Sequence, residues 1–466
     1  MWSRLRSGIL KHEVLLIIMC LVVILRLPSL FEPHWYGDEE VYLTIGQSLG
    51  QGAQLYKDIH DNKPPLLYFV AWAAHGELFW FKLATSAAAL LAIAFFWKVA
   101  RQNALATAIF AGLTTLPLIE GNIANAEMFF LVFTLWGFSR LINNKNIFWS
   151  GVILGLGALF KIPAILDVGV WPLFWLITAE PGWFKKSFWL GLGAAIPLGI
   201  SIIFYAAQGT LNSYLIAAGI QNIPYLSSWQ AVSGFWGTLS GRALTALLLV
   251  GLIALGRKKL GERRVWLTLW FVITLFAALL SGRPYPHYLL QLAPALALLL
   301  TDKYLRVPAL AVLAGTMILF KFNVYPVFGY YHNFLVWAAG KIDTGAYYSH
   351  FNPQVNTNYQ IAREVMMGST PKEGLFVWGN EPAIYALSRR PVVGKYTVAY
   401  HVFDFRAQAE TIAALHHHPP RYIVVITSPA LLPGLWQFLS ESYILTRTVG
   451  NAQIYRHPNI TAWNIH

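Results

Sequence analysis

The chain has 466 residues, of which 56% are hydrophobic and only 12% charged, about half the 25% charged content of soluble domains. With a mean hydropathy of +0.51, this excludes an ordinary soluble protein and predicts a polytopic α-helical membrane protein, whose 19 Trp suit aromatic belts at bilayer interfaces. The formal net charge of +13 does not point to nucleic acid, because the basic residues sit in short clusters between apolar runs, as cytoplasmic loops do under the positive-inside rule.

In chain order, those clusters are Arg4, Arg6 and Lys11; Lys98 and Arg101; Arg140 and Lys145; Lys185 and Lys186; Arg257, Lys258 and Lys259 with Arg263 and Arg264; and Lys303 with Arg306. The first apolar stretch, 14–25, ends in Arg26-Leu27-Pro28 with no small-residue cleavage site, so an uncleaved first span is expected. A single cysteine, Cys20, allows no internal disulfide. A spanning helix needs about 20 mostly apolar residues. About eleven are expected, near 13–31, 78–100, 103–119, 127–143, 147–163, 164–180, 187–207, 241–256, 265–281, 287–301 and 307–322. The stretch 147–180, interrupted by Lys161, Pro163 and Asp167, reads as two short helices or one broken helix.

With a cytoplasmic N-terminus, every basic cluster falls on the cytoplasmic side. The opposite face receives 32–77, 120–126, 208–240, 282–286 and everything after about 323, and 208–240 contains no Lys or Arg. From about Tyr325 the membrane-length runs stop. A strand is expected at 374–378, a helix at 381–387, a helix at 407–416, a buried strand at 422–426 and a hairpin over 443–456. The expected organisation is a transmembrane domain over 1–324, with its outer loop at 32–77, and an extracytoplasmic α/β domain over 325–466.

Charges on the outer side are scarce, so each is informative. Asp38, Glu39 and Glu40 follow the first span. On a helix starting there Asp38 and Tyr42 share a face, while Glu39 points elsewhere. Acidic residues in a first turn also suit the helix dipole, so a plain interfacial helix is an equal reading. Lys63-Pro64-Pro65 is a helix-start signal, or a cation on a stiff backbone aimed at a phosphate. Glu127 lies in the second outer loop, Lys161 at the outer end of its span, and Arg283, His287 and Tyr288 in another outer loop. Lys161 and Asp167 inside an apolar stretch are costly, and mark either function or a structural ion pair. For His287 a structural hydrogen bond is the favoured reading. The run His416 to His418 reads as a solvated helix end. No spacing resembles a zinc site, and no Gly-rich phosphate loop precedes a Lys-Ser/Thr.

Taken together, Asp38-Glu39-x-x-Tyr42, Gly52-Ala-Gln-Leu-Tyr56-Lys-Asp58, Lys63-Pro64-Pro65-Leu66, Glu127, the Gly155, Gly157, Lys161 span and His287-Tyr288 with Pro294 resemble the GT-C integral-membrane glycosyltransferases. The resemblance is to the bacterial branch related to protein O-mannosyltransferases and to the lipid A aminoarabinose transferase, and it is clearest over 35–68. It implies transfer of a sugar from a polyprenyl-phosphate carrier to a cell-envelope glycan, lipid or protein at the outer face of the bacterial inner membrane. It further implies Asp38 as catalytic base with Glu39 beside it, Lys63 and Lys161 toward the donor phosphate, and Tyr42, Tyr56, Glu127, Arg283, His287 and Tyr288 in the cavity. The resemblance brings in no cofactor and needs no metal in principle, though a divalent ion is not excluded. One departure is Val41, which stands where similar aminoarabinose transferases have Arg, and it argues against that donor. A transporter or flippase is the main alternative. Its usual pseudo-repeated halves and midplane binding groups are not evident here. The third reading is an assembly protein without chemistry.

Overall fold

The computed structural model describes residues 2–143, 145–226 and 232–458. Its packing divides the chain into two units interleaved along the sequence. One comprises Met1–Ser29, Leu83–Gly209 and Asn222–Tyr330, the other Leu30–Lys82, Thr210–Gln221 and Tyr331–His466. Among the described residues, four helices are long and apolar enough to cross a bilayer: His12–Phe31, Leu78–Val99, Trp183–Ala207 and Leu239–Leu260. At the other expected spans the helices are shorter, among them Ala104–Thr115, Ile147–Ala158, Ile165–Ile177 and Arg306–Phe320. The interrupted 147–180 stretch resolves into two short helices joined by a 3-10 turn at Ile162–Ala164. Pro163, which has no N–H to donate, falls within that turn.

The second unit contains a four-stranded sheet: β1 (Leu375–Trp378), β2 (Tyr422–Val425), β3 (Ile444–Val449) and β4 (Ala452–Arg456). Their order is β1-β2-β4-β3, with β1 parallel to β2 and both other pairings antiparallel. The parallel pair is buried throughout, as its unbroken apolar sequence requires. Alternate residues serve two cores. Phe376, Trp378, Ile423 and Val425 pack on one face, and Leu375, Val377, Tyr422 and Val424 on the other. The edge strand β3 is largely exposed and carries Arg447, a charge that discourages pairing with another chain. In the same unit Gly37–Gly50 packs on Leu66–Ala73. Gln47 fixes this pair by donating to the carbonyls of Gly76 and Ala386, each at 2.9 Å.

In the first unit, Arg26 closes the first helix by donating to the Thr114 and Gly121 carbonyls at 3.0 and 2.8 Å. Ile147–Ala158 crosses Trp183–Ala207 at close range. A methyl added at Gly151 would stand 2.1 Å from the Leu190 carbonyl oxygen, and one at Gly155 2.3 Å from that of Ala194. This is the small-residue packing by which membrane helices bring their backbones together. The Gly-rich character of the span before Lys161 therefore has a packing cause. Gly155→Leu should lower stability by about 1–3 kcal/mol or more through overpacking. Gly157→Ala should be near neutral, since its added carbon meets nothing closer than 3.5 Å. Thermal unfolding of the two variants in one detergent checks the contrast.

Candidate active site

Helix Gly37–Gly50 begins with three carboxylates in its first turn. Successive side chains on a helix point about 100° apart, so each finds a different partner. Glu39 turns inward, where its Oε1 lies 2.7 Å from Lys82 Nζ, and Glu32 holds the same ammonium at 2.8 Å. All three side chains are essentially excluded from solvent. Glu40 is also buried and meets His34 Nδ1 at 2.6 Å. Asp38 alone of the three is accessible, at 35% exposure. Its Oδ2 accepts from the Tyr42 hydroxyl at 3.1 Å, one helical turn on, as the shared face requires.

Lys63 approaches this carboxylate, with Nζ 3.8 Å from Asp38 Oδ2, 3.5 Å from Asp61 Oδ2 and 4.9 Å from the centre of the Tyr42 ring. Its backbone is held from both sides. The Tyr56 hydroxyl donates to the Lys63 carbonyl at 2.8 Å, and the Lys63 N–H donates to the Tyr68 hydroxyl at 3.2 Å. Tyr68 in turn donates to Asp61 at 2.8 Å. Pro65 then starts Leu66–Ala73. Burial opposes ionisation of Asp61, but Lys63, His401 and the hydrogen bonds from Asn62 and Tyr68 outweigh it and hold the carboxyl below its usual range. His60 is pushed down to about 4 by burial and by His401. Asp61 is buried while Asp38 is about a third exposed, so the longer Lys63–Asp38 contact contributes about 1 kcal/mol or less.

The first unit holds a separate cluster. Lys161, at the break between two short helices, pairs with Glu127 in the first turn of Ala126–Ile142. Its ammonium stands 4.1 Å over the Tyr288 ring. The Tyr288 hydroxyl meets that of Tyr225 at 2.8 Å, and the Arg283 guanidinium lies 4.6 Å over the Tyr225 ring. His287 Nδ1 is 2.5 Å from Glu120 Oε2, the hydrogen bond favoured for it from sequence. Lys161 and Asp167 do not pair with each other. Asp167 instead accepts from Thr134 and Gln291, each at 3.1 Å. Among the described residues, no group of three or more His, Cys, Asp or Glu is placed to hold a metal ion.

No protein-family model matches the sequence, and no curated relative does either. Solved structures do match. ArnT from Cupriavidus metallidurans bound to undecaprenyl phosphate superposes with a TM-score of 0.58 at 16% identity, over 94% of this chain and 97% of that one. The apo state of the same protein gives 0.59 at 15% identity with the same coverage. The fold is that of ArnT. This fold-level relationship agrees with the GT-C resemblance carried by Asp38, Tyr42 and Lys63-Pro64-Pro65.

Several residues of these clusters escape a reading of the sequence: Glu32, Lys82, Asp61, Tyr68 and His401. Lys82 carried the one available signal, a lysine inside an apolar run. Lys82→Met should cost about 3–5 kcal/mol, the usual result of leaving buried carboxylates without their cation, read as the unfolding midpoint in detergent. His34 gives a pH signature. Burial opposes its protonation, but Glu40 outweighs that and raises the pKa above 6.5. Its stabilisation is thus complete below about 6.5 and is lost as pH rises through the folded-state value. Unfolding midpoints measured across that range should fall on the alkaline side in the wild type, and fall less in His34→Phe.

Proposed function

We propose that the protein is a membrane glycosyltransferase that moves a sugar from a polyprenyl-phosphate carrier to a hydroxyl acceptor at the outer face of the bacterial inner membrane. The observation that carries this reading is the pairing of an accessible carboxylate, Asp38, with a Lys63 ammonium 3.8 Å away on a tyrosine-braced, proline-stiffened loop. The ArnT fold supports it, and a neighbour with that fold is bound to undecaprenyl phosphate. Topologically, the proposal places the N-terminus in the cytoplasm, the loop 32–77 outside, and 325–466 outside as an extracytoplasmic domain following a transmembrane domain over 1–324.

In this mechanism Asp38 accepts the proton of the acceptor hydroxyl as its oxygen attacks the anomeric carbon. The bond from that carbon to the carrier phosphate breaks, and the phosphate leaves with the electron pair. Lys63 stabilises the charge growing on it, as a fixed cation aimed at a leaving phosphate does. Direct displacement inverts the anomeric centre. Tyr42 orients Asp38, Tyr56 positions Lys63 through its carbonyl, and Asp61 steadies the ammonium from the other side. Glu39 acts through Lys82, anchoring the turn that presents Asp38. Lys161, with Glu127 and Tyr288, is assigned to a second phosphate or carrier contact, and Arg283 and His287 to the same wall. Val41, in place of an arginine, directs the donor away from aminoarabinose.

A reconstituted assay with radiolabelled polyprenyl-phosphate sugars and membrane extract tests this. Asp38→Asn and Lys63→Ala should each lose at least about a hundredfold in transfer, the scale of a lost general base or charge-stabilising group. Wild-type protein that is folded yet consumes no donor would favour a transporter instead. Full activity in Asp38→Asn would remove the assigned base.

A further inference from the structure

A cavity of about 230 Å³ lies within the first unit, where the last turns of Leu78–Val99 and Ala126–Ile142 meet the loop leading into Ile147–Ala158. Lys98, Arg140 and Lys145 line it together with Phe95, Trp136 and Asn143, and no Asp or Glu does. Each cation comes from a different place. Lys98 is in the last turn of the first helix, Arg140 in the last turn of the second. Lys145 follows in the loop, drawn back by its N–H, which donates to the Arg140 carbonyl at 2.9 Å. Among the described residues none of the three forms an ion pair, and Arg140 Nε is buried without a hydrogen-bond partner. Other basic clusters of the chain do find acids: Lys186 pairs with Glu180 at 2.7 Å and Arg264 with Asp302 at 2.9 Å. Three cations gathered without a carboxylate repel one another, so the cavity favours an anion.

The rest of the wall is apolar. Phe95 and Trp136 stack with ring centroids 5.7 Å apart and planes at 12°, and Lys98 Nζ stands 5.3 Å from the Phe95 ring centre. Leu91, Phe95 and Lys98 follow at i, i+4 and i+7, so they share one face of a helix long and apolar enough to cross a bilayer. Leu91 is 52% exposed and Trp136 36%. That face therefore passes from exposed apolar to cationic within two turns, the change that a bilayer makes between acyl chains and headgroups. A free phosphate would answer the cations alone, and a neutral lipid the apolar face alone. An anionic head joined to an apolar tail answers both. Basic residues at span ends also set a chain's orientation, but that role needs only their number, not their convergence on one cavity.

We propose that this cavity seats the phosphate of one anionic phospholipid, bound by Lys98, Arg140 and Lys145, with the glycerol and first acyl carbons against Phe95 and Trp136. The site stands independently of the transferase reading, because neither Asp38 nor Lys63 takes part in it.

The test is native mass spectrometry of the full chain in detergent, loaded with equal parts of dioleoyl phosphatidylglycerol and dioleoyl phosphatidylcholine, whose identical tails isolate the headgroup. Wild type should retain one phosphatidylglycerol in preference to phosphatidylcholine by about tenfold or more. Lys98→Gln, Arg140→Gln and Lys145→Gln should each weaken that retention about fivefold, the worth of one basic residue toward an anionic lipid. Lys145 is exposed, so its exchange leaves packing undisturbed, and thermal unfolding establishes that each variant is folded. A double variant, Lys258→Gln with Lys259→Gln, removes two exposed charges from a basic cluster outside the cavity and should leave retention unchanged. Equal retention of the two lipids by folded wild type would overturn the proposal. So would an equal loss in the Lys258 and Lys259 variant, which would make the attraction a diffuse property of the basic surface. Displacement of the lipid by glycerol 3-phosphate at about 10 mM, enough to fill a millimolar site, would assign the cavity to a soluble phosphate and overturn the lipid as its occupant.

Discussion

A charge taken out of water must bring its partner with it, and the charged groups of this chain are arranged around that constraint. Lys82 is wholly excluded from solvent and lies within hydrogen-bond reach of both Glu32 and Glu39. Removing either kind of partner would strand an ion at a cost of several kcal/mol. The same rule places Lys161 on Glu127, Glu120 on His287 and Arg26 on two backbone carbonyls. Asp38 and Lys63 stand apart because they are partly exposed and spaced beyond direct hydrogen bonding. The turn is made rigid by the charges that are buried, and it presents to water the ones that are not.

The division between those two groups was half visible in the sequence. Helical periodicity alone separates Asp38 and Tyr42 from Glu39, and their hydrogen bond follows from it. Which way Glu39 then turns depends on Lys82 and Glu32, contacts between distant parts of the chain that no local pattern encodes. Asp61 and His401 were hidden for the same reason, since their proximity at 3.7 Å is wholly tertiary. In the sheet, the β-branched run at β2 and the alternating hairpin announce strands through local chemistry. The insertion of β4 between β2 and β3 is a matter of pairing, which strand propensity does not address.

Span counting met a different limit. A hydropathy window treats every apolar run of similar length alike, while among the described residues four helices have the length and composition to cross a bilayer. Shorter helices such as Ile147–Ala158 also pack on neighbours, and glycines let their backbones approach closely. Apolarity thus has two causes in this chain, lipid and protein, and composition reports their sum. Fold and chemistry separate in a similar way. At 16% identity the fold of ArnT is kept, and a fold does not by itself fix a substrate.

The partners of Lys82 also have a consequence for biosynthesis. Glu32 lies 50 residues before its lysine, so the carboxylate is made well before the cation that neutralises it. At about 5–20 residues per second, roughly three to ten seconds of translation separate the two. During that interval the segment following the first helix carries acidic groups that cannot yet be buried. It must wait in water, hydrated and unpacked, until the beginning of Leu78–Val99 emerges. The ion cluster therefore acts as a timer as well as a fastener, because the turn bearing Asp38 cannot settle before the next long helix has been made.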